Sequence, residues 1–178
     1  MPNYRRDLTP GGTYFFTVVL RDRNSRLLIE CIDDLRGAVR ETRQQAPLDI
    51  VAWIVLPEHM HAIWKLPDGD ADYAGRWRMI KARFSRQLSP SESCPGSLVQ
   101  RGEKGIWQRR FWEHRIRGER DLQTHFDYIH FNPVKHGHCD RVVDWPFSTF
   151  HRWVANGHYP IDWGISESRF QGRFGEGA

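Results

Sequence analysis

An α+β fold, in which a four-stranded antiparallel sheet carries two packed helices and a further C-terminal helix, is predicted by three features of this 178-residue sequence. Aromatic and β-branched runs alternate with stretches of helical periodicity in the order β-α-β-β-α-β-α. Two of the β-type runs are separated by only Pro57 and Glu58, the spacing of a tight hairpin. The hydrophobic fraction, 39%, suffices for one compact core over this length and is too small for two ordinary domains.

The first strand is "TYFFTVVL" (13–20), preceded by Pro10, Gly11 and Gly12. The glycine pair suits either a simple turn or a close backbone approach to a ligand. In "SRLLIECIDDLRGAVRETRQQ", Leu28, Ile32, Leu35 and Val39 recur at spacings of four, three and four, the stripe of an amphipathic helix, with Ser25 as N-cap and Pro47 beyond the end. "LDIVAWIVL" (48–56) and "HMHAIWKL" (59–66) form the hairpin. From Asp72 to Leu88, Tyr73, Trp77, Ile80, Phe84 and Leu88 mark a second helix with a cationic side. Residues 89–105 read as a long mobile loop. "IWQRRFWEHRIR" (106–117) alternates as a fourth strand that Gly118 ends. Leu122, Phe126 and Ile129 lie on one face of the last helix, which Pro133 stops or kinks. This order is that of a ferredoxin-like split βαβ sheet (β-α-β-β-α-β) with an added C-terminal helix. Two helices cover one face of such a sheet, leaving the other for chemistry. The domain is expected to span 1–153, with 154–178 a weakly structured tail.

No window of about 18 apolar residues is present, and "MPNYRRDLTPGGT" lacks the apolar core of a secretory signal, so a cytoplasmic protein without a membrane span is expected. Cys31, Cys94 and Cys139 are far apart and in no CxxC pair, which suggests neither a disulfide framework nor a thiolate zinc site. The net charge of +4 is unevenly placed: residues 75–120 hold twelve Lys and Arg against four Glu. Interleaved with Trp77, Trp107, Phe111 and Trp112, this segment suits a polyanion-binding surface. Solvated helix faces and core tryptophans explain it equally well.

Strand alternation points His59 and His61 to the same side, so the two imidazoles can share one divalent metal if a third ligand comes from elsewhere; histidines satisfied by hydrogen bonds at a hairpin mouth are the other reading. On the last helix Tyr128 and Asn132 lie together, well to one side of the Leu122–Phe126–Ile129 arc. An amide oxygen is a hard donor suited to Mg²⁺ or Mn²⁺, and a phenol is a nucleophile that metal-assisted phosphoryl chemistry can use. Taken singly, Tyr128 is an ordinary tyrosine and Asn132 a helix C-terminal residue. His130, His136 and His138 read as surface histidines.

The combination of "LPEHMHAIW", "IWQRRFWEHRIR", "YIHFNPVKHG" and "DWPFST" resembles the single-tyrosine HUH transposases, most closely the REP-associated tyrosine transposases, over most of residues 11–150. The resemblance implies that His59, His61 and Asn132 hold the metal, Mg²⁺ or Mn²⁺, and that Tyr128 is the nucleophile. It implies cleavage and rejoining of single-stranded DNA carrying a REP-type palindrome hairpin, through a 5′-phosphotyrosine intermediate. It implies further a monomer acting with its own tyrosine, although wider-family members exchange the tyrosine helix in homodimers. A covalent link conserves the phosphodiester energy, and the sequence has no Walker-type Gly-rich loop. Lys81, Arg83, Arg86, Arg109, Arg110, Arg115 and Arg117 are the candidate DNA contacts, with the tail after residue 153 a further one. The alternatives are a hairpin-DNA repressor or architectural protein without cleavage, and a water-using metal hydrolase in which Tyr128 is incidental.

Overall fold

A computed structural model describes residues 6–90 and 94–164. Strands β1 (Thr13–Val19), β2 (Asp49–Val55), β3 (His59–Lys65) and β4 (Trp112–Arg115) form one antiparallel sheet in the order β2-β3-β1-β4. β3 lies between the β1 and β2 that flank the first crossover, the expected split βαβ arrangement. β4 is shorter than the run 106–117, because Trp107 makes only an isolated bridge to Leu20 before the ladder resumes at Trp112. The first helical stretch is broken at Cys31 into α1 (Leu27–Glu30) and α2 (Ile32–Gln45).

Tyr14, Phe16, Val18, Met60, Ala62 and Trp64 face α2 and α3 (Tyr73–Arg86). Trp64 and Trp77 stack there at 4.1 Å and 19°, the centre of the first core. Asp72 caps α3 by accepting from the Gly75 amide at 2.8 Å. Arg76 is 3% exposed, paired through two nitrogens with Asp70 and bonded to the Pro47 and Ala46 carbonyls. It is therefore a structural cation, not part of a surface patch.

The other sheet face is not open. Phe15, Ala52, Ile54 and Ile63 are covered by α5 (Glu119–Lys135) and α6 (Phe150–Ala155). α5 starts at Gly118, whose φ of 89° favours glycine, and continues through Pro133 to Lys135 rather than stopping there. α6 runs across position 153, and Tyr159 beyond it is 5% exposed, stacked on Phe126 at 5.5 Å. Residues 165–178, the rest of the expected tail, lie outside the described residues.

Within 94–105 the expected loop holds a short helix, α4 (Gly96–Val99), and Lys104 donates to the Ser85, Arg86 and Leu88 carbonyls at the C-terminal end of α3. Gly11 serves a turn, with φ 67° and its amide on the Asp70 carbonyl. A Cβ on Gly12 would come within 2.7 Å of the Tyr14 ring, so close packing within the protein accounts for that glycine.

His130 is fully buried, not a surface histidine, with Nε2 2.9 Å from Thr149 Oγ1. Burial, with Arg152 and His158 nearby, pushes its pKa down to about 3. Between the ordinary value of 6.5 and about 3, the unfolded chain binds a proton that the folded chain refuses. Its contribution is thus complete above 6.5 and lost as pH falls, by about 1.4 kcal/mol per pH unit. Urea unfolding followed from pH 7 to 4 should show declining stability in the wild type and a shallower decline in His130→Gln.

Candidate active site

His59 and His61 fall on the β3 face turned toward α5, opposite Val19 and Thr17 of β1. Both are fully buried, their rings 5.0 Å apart at 81°. His59 donates through Nδ1 to Glu58 Oε1 at 2.8 Å. Burial alone would raise the Glu58 carboxyl, but this bond, with His59 and Arg23 nearby, holds it below its ordinary value. The remaining nitrogen, His59 Nε2, is buried and has no hydrogen-bond partner among the described residues. A buried ring nitrogen without a partner, on a ring fixed by a carboxylate, is the form of a metal-ligating histidine. His61 sets Nδ1 2.9 Å from Thr17 Oγ1. Burial first, and then His59, His136 and Lys135, hold it well below its usual value, so it is neutral at pH 7.

α5 supplies the other half. Tyr128, Asn132 and His136 are spaced i, i+4, i+8 along one side. The Tyr128 ring meets His61 at 5.4 Å and the His136 ring meets His59 at 5.2 Å. Asn132, fully buried between these two contacts, is thereby carried to the imidazole pair. His59, His61 and Tyr128 are in ring contact, with Asn132 buried on the next turn of α5; two imidazoles and an amide oxygen are a donor set that suits a divalent cation.

Lys135 donates to Tyr128 Oη at 3.1 Å and lies 4.8 Å from the centre of its ring. Burial lowers the Lys135 pKa, and burial with His59 and Lys135 lowers that of His136 to about 4. Three neighbours escaped the sequence reading: Glu58, Thr17 and Lys135; His136, read as a surface histidine, is exposed and also meets His59. Glu58 was legible as the residue before "HMH", and Lys135 and His136 as continuations of the Tyr128–Asn132 stripe. Thr17 needed the strand register.

Of the seven basic candidates, Lys81, Arg86 and Arg109 border one cleft, and most of the seven already have partners in the fold. Lys81 donates to the Gln108 carbonyl, and burial with Arg6 nearby pushes it down to about 8. Arg83 is committed to Thr42, Gln45 and Glu41, Arg109 to Glu103, and Arg115 and Arg117 to Asp7. Arg86 and Arg110 are exposed. A second basic surface lies at the β2 edge, where a cleft of about 1010 Å³ is bordered by Arg36, Arg40, Arg43 and Arg152.

No family model matches the sequence. An Escherichia coli protein named REP-associated tyrosine transposase is 53% identical over 163 residues, covering 92% of this chain and 91% of that one. The chain belongs to the REP-associated tyrosine transposases. A solved member of this family, described as bound to a REP hairpin, is 49% identical, covers 97% of this chain and 98% of its own, and superposes with a TM-score of 0.81. The four-stranded sheet and its covering helices are therefore those of a REP-associated tyrosine transposase over nearly the whole length.

Because Glu58 fixes the His59 ring, Glu58→Gln should weaken Mn²⁺ binding by about 10- to 100-fold in calorimetry, with the circular dichroism spectrum unchanged.

Proposed function

We propose that this chain cleaves and rejoins single-stranded, hairpin-forming DNA of the REP type by transesterification at Tyr128. The observation that carries the reading is the meeting of Tyr128 with His61 on a face where Asn132 and His59 lie beside it. Family membership supplies the substrate class, since the solved relative is described as bound to a REP hairpin.

His59 Nε2, His61 and the Asn132 amide would hold a divalent ion, Mg²⁺ or Mn²⁺. When bound, the ion would polarise a non-bridging phosphate oxygen and offset charge as it grows. Tyr128 Oη attacks phosphorus, the bond to the 3′ oxygen breaks, and a 5′-phosphotyrosyl link and a free 3′-hydroxyl result. Lys135, already bonded to Oη, favours the phenolate and keeps it aimed. Thr17 and Glu58 fix the two imidazole planes. Rejoining reverses the step with an incoming 3′-hydroxyl. Tyr128 is fully buried while Lys135 and His136 lie at the exposed rim, so the scissile phosphate enters from the C-terminal end of α5. Exposed Arg86 and Arg110 are the foremost phosphate contacts among the basic candidates, and the chain works as a monomer with its own tyrosine.

Incubated with a REP hairpin oligonucleotide and Mn²⁺, the wild type should form a covalent adduct stable to denaturing electrophoresis. Tyr128→Phe should form none and bind the hairpin within about threefold of wild type. An adduct in Tyr128→Phe removes the nucleophile assignment, and absence of cleavage in both proteins favours the non-cleaving DNA-binding alternative. Hairpin affinity should fall at least tenfold between 50 and 200 mM salt, the signature of several phosphate contacts.

A further inference from the structure

Apart from the His59–His61 pair, a second set of donors converges where β4 meets the first turns of α5. His114 on β4 sets Nε2 2.9 Å from Asp121 Oδ2, and His125 sets Nδ1 3.0 Å from Asp121 Oδ1. The two imidazoles stack at 4.7 Å and 13°. Each of the three residues offers a ligand atom within 4.8 Å of the others. The Phe15 ring, 4.8 Å from His125 and 5.4 Å from His61, stands between this cluster and the candidate active site. Side-chain exposures of 36% for His114, 23% for Asp121 and 9% for His125 leave the cluster open on the His114 side and closed toward the core.

We infer that His114, Asp121 and His125 form a second divalent-metal site, selective for imidazole-preferring ions such as Zn²⁺ and Co²⁺ over Mg²⁺. Two imidazoles and one carboxylate from two elements make a ligand set with positions left for water, and nitrogen donors of this kind suit transition ions better than Mg²⁺. The groups are also in the form a metal needs. Burial keeps His125 below its ordinary value in spite of its contacts with Asp121. Asp121 accepts from the Arg117 amide at 2.7 Å, which with His114 outweighs burial and keeps the carboxylate ionised. An imidazole that donates to Asp121 through one ring nitrogen can offer that nitrogen to an ion by moving its proton to the other. The bound ion would join the edge strand to the helix that carries Tyr128, one turn beyond His125. This site does not depend on the proposed DNA chemistry.

Co²⁺ titration of the full chain, read by visible absorption and by metal content after dialysis, tests it. Two Co²⁺ per chain are expected in the wild type and one in His114→Gln, a half-exposed position whose replacement leaves the core intact; Asp121→Asn should behave likewise. A hundredfold excess of Mg²⁺ should not displace the ion lost in these variants. Zn²⁺ should raise the thermal midpoint more in the wild type than in His114→Gln. Unchanged stoichiometry in both variants overturns the inference, as does a wild type that binds no Co²⁺. A wild type that binds a single ion separates the two sites: its loss in His114→Gln upholds this site against the His59–His61 metal reading, and its persistence does the reverse.

Discussion

Every side chain of β3 from His59 to Trp64 is buried, and so is nearly every one of β1, so the central pair of strands has no solvent side. Alternate residues supply two different interiors. Met60, Ala62 and Trp64 fill the aromatic core against α2 and α3, while His59, His61 and Ile63 face α5. Register is consequently fixed twice over: a slip of one residue would put two imidazoles into the tryptophan core and a methionine against Tyr128. The arrangement of the candidate site follows from that constraint. Thr17 meets His61 because the β1–β3 ladder pairs them, and Glu58 reaches His59 because the hairpin turn ends there.

Burying polar groups against a sheet is unfavourable unless each finds a partner, and here the partners come from both sides. Glu58 and Thr17 engage the Nδ1 atoms of the histidines. Lys135 engages the phenol. His59 Nε2, by contrast, is buried without a hydrogen-bond partner among the described residues. The histidines around it are kept neutral by burial, which preserves them as ligands and makes the same region sensitive to acid.

Much of this was legible in the sequence, and the misses share a cause. The strand and helix order followed from periodicity because each element has one strongly apolar face, as Leu28, Leu35 and Trp77 show. The covering of the second sheet face did not follow, because α5 buries His125, Tyr128, His130 and Asn132 as well as Phe126 and Ile129. Those polar residues look like a solvent face until their partners are known. The basic segment misled in the opposite direction. Arg76, Arg83 and Lys104 carry the charge of a DNA-binding patch, yet each is committed to carbonyls or side chains inside the fold. Composition counts cations and cannot see which are already in use. The four candidate residues could be paired from the sequence because strand and helix spacings each place two on one face, whereas the contact between the pairs is tertiary.

Pro133 sits inside α5 immediately after Asn132 and contributes no amide hydrogen to the Ile129 carbonyl one turn back. Beyond it the chain folds back, with the His138 amide on the Pro133 carbonyl at 2.8 Å. Tyr128 and Asn132 lie ahead of that missing bond and Lys135 and His136 past it, where the His136 amide still bonds the Asn132 carbonyl at 3.0 Å. The two halves of the candidate site thus share one helix but not an unbroken ladder.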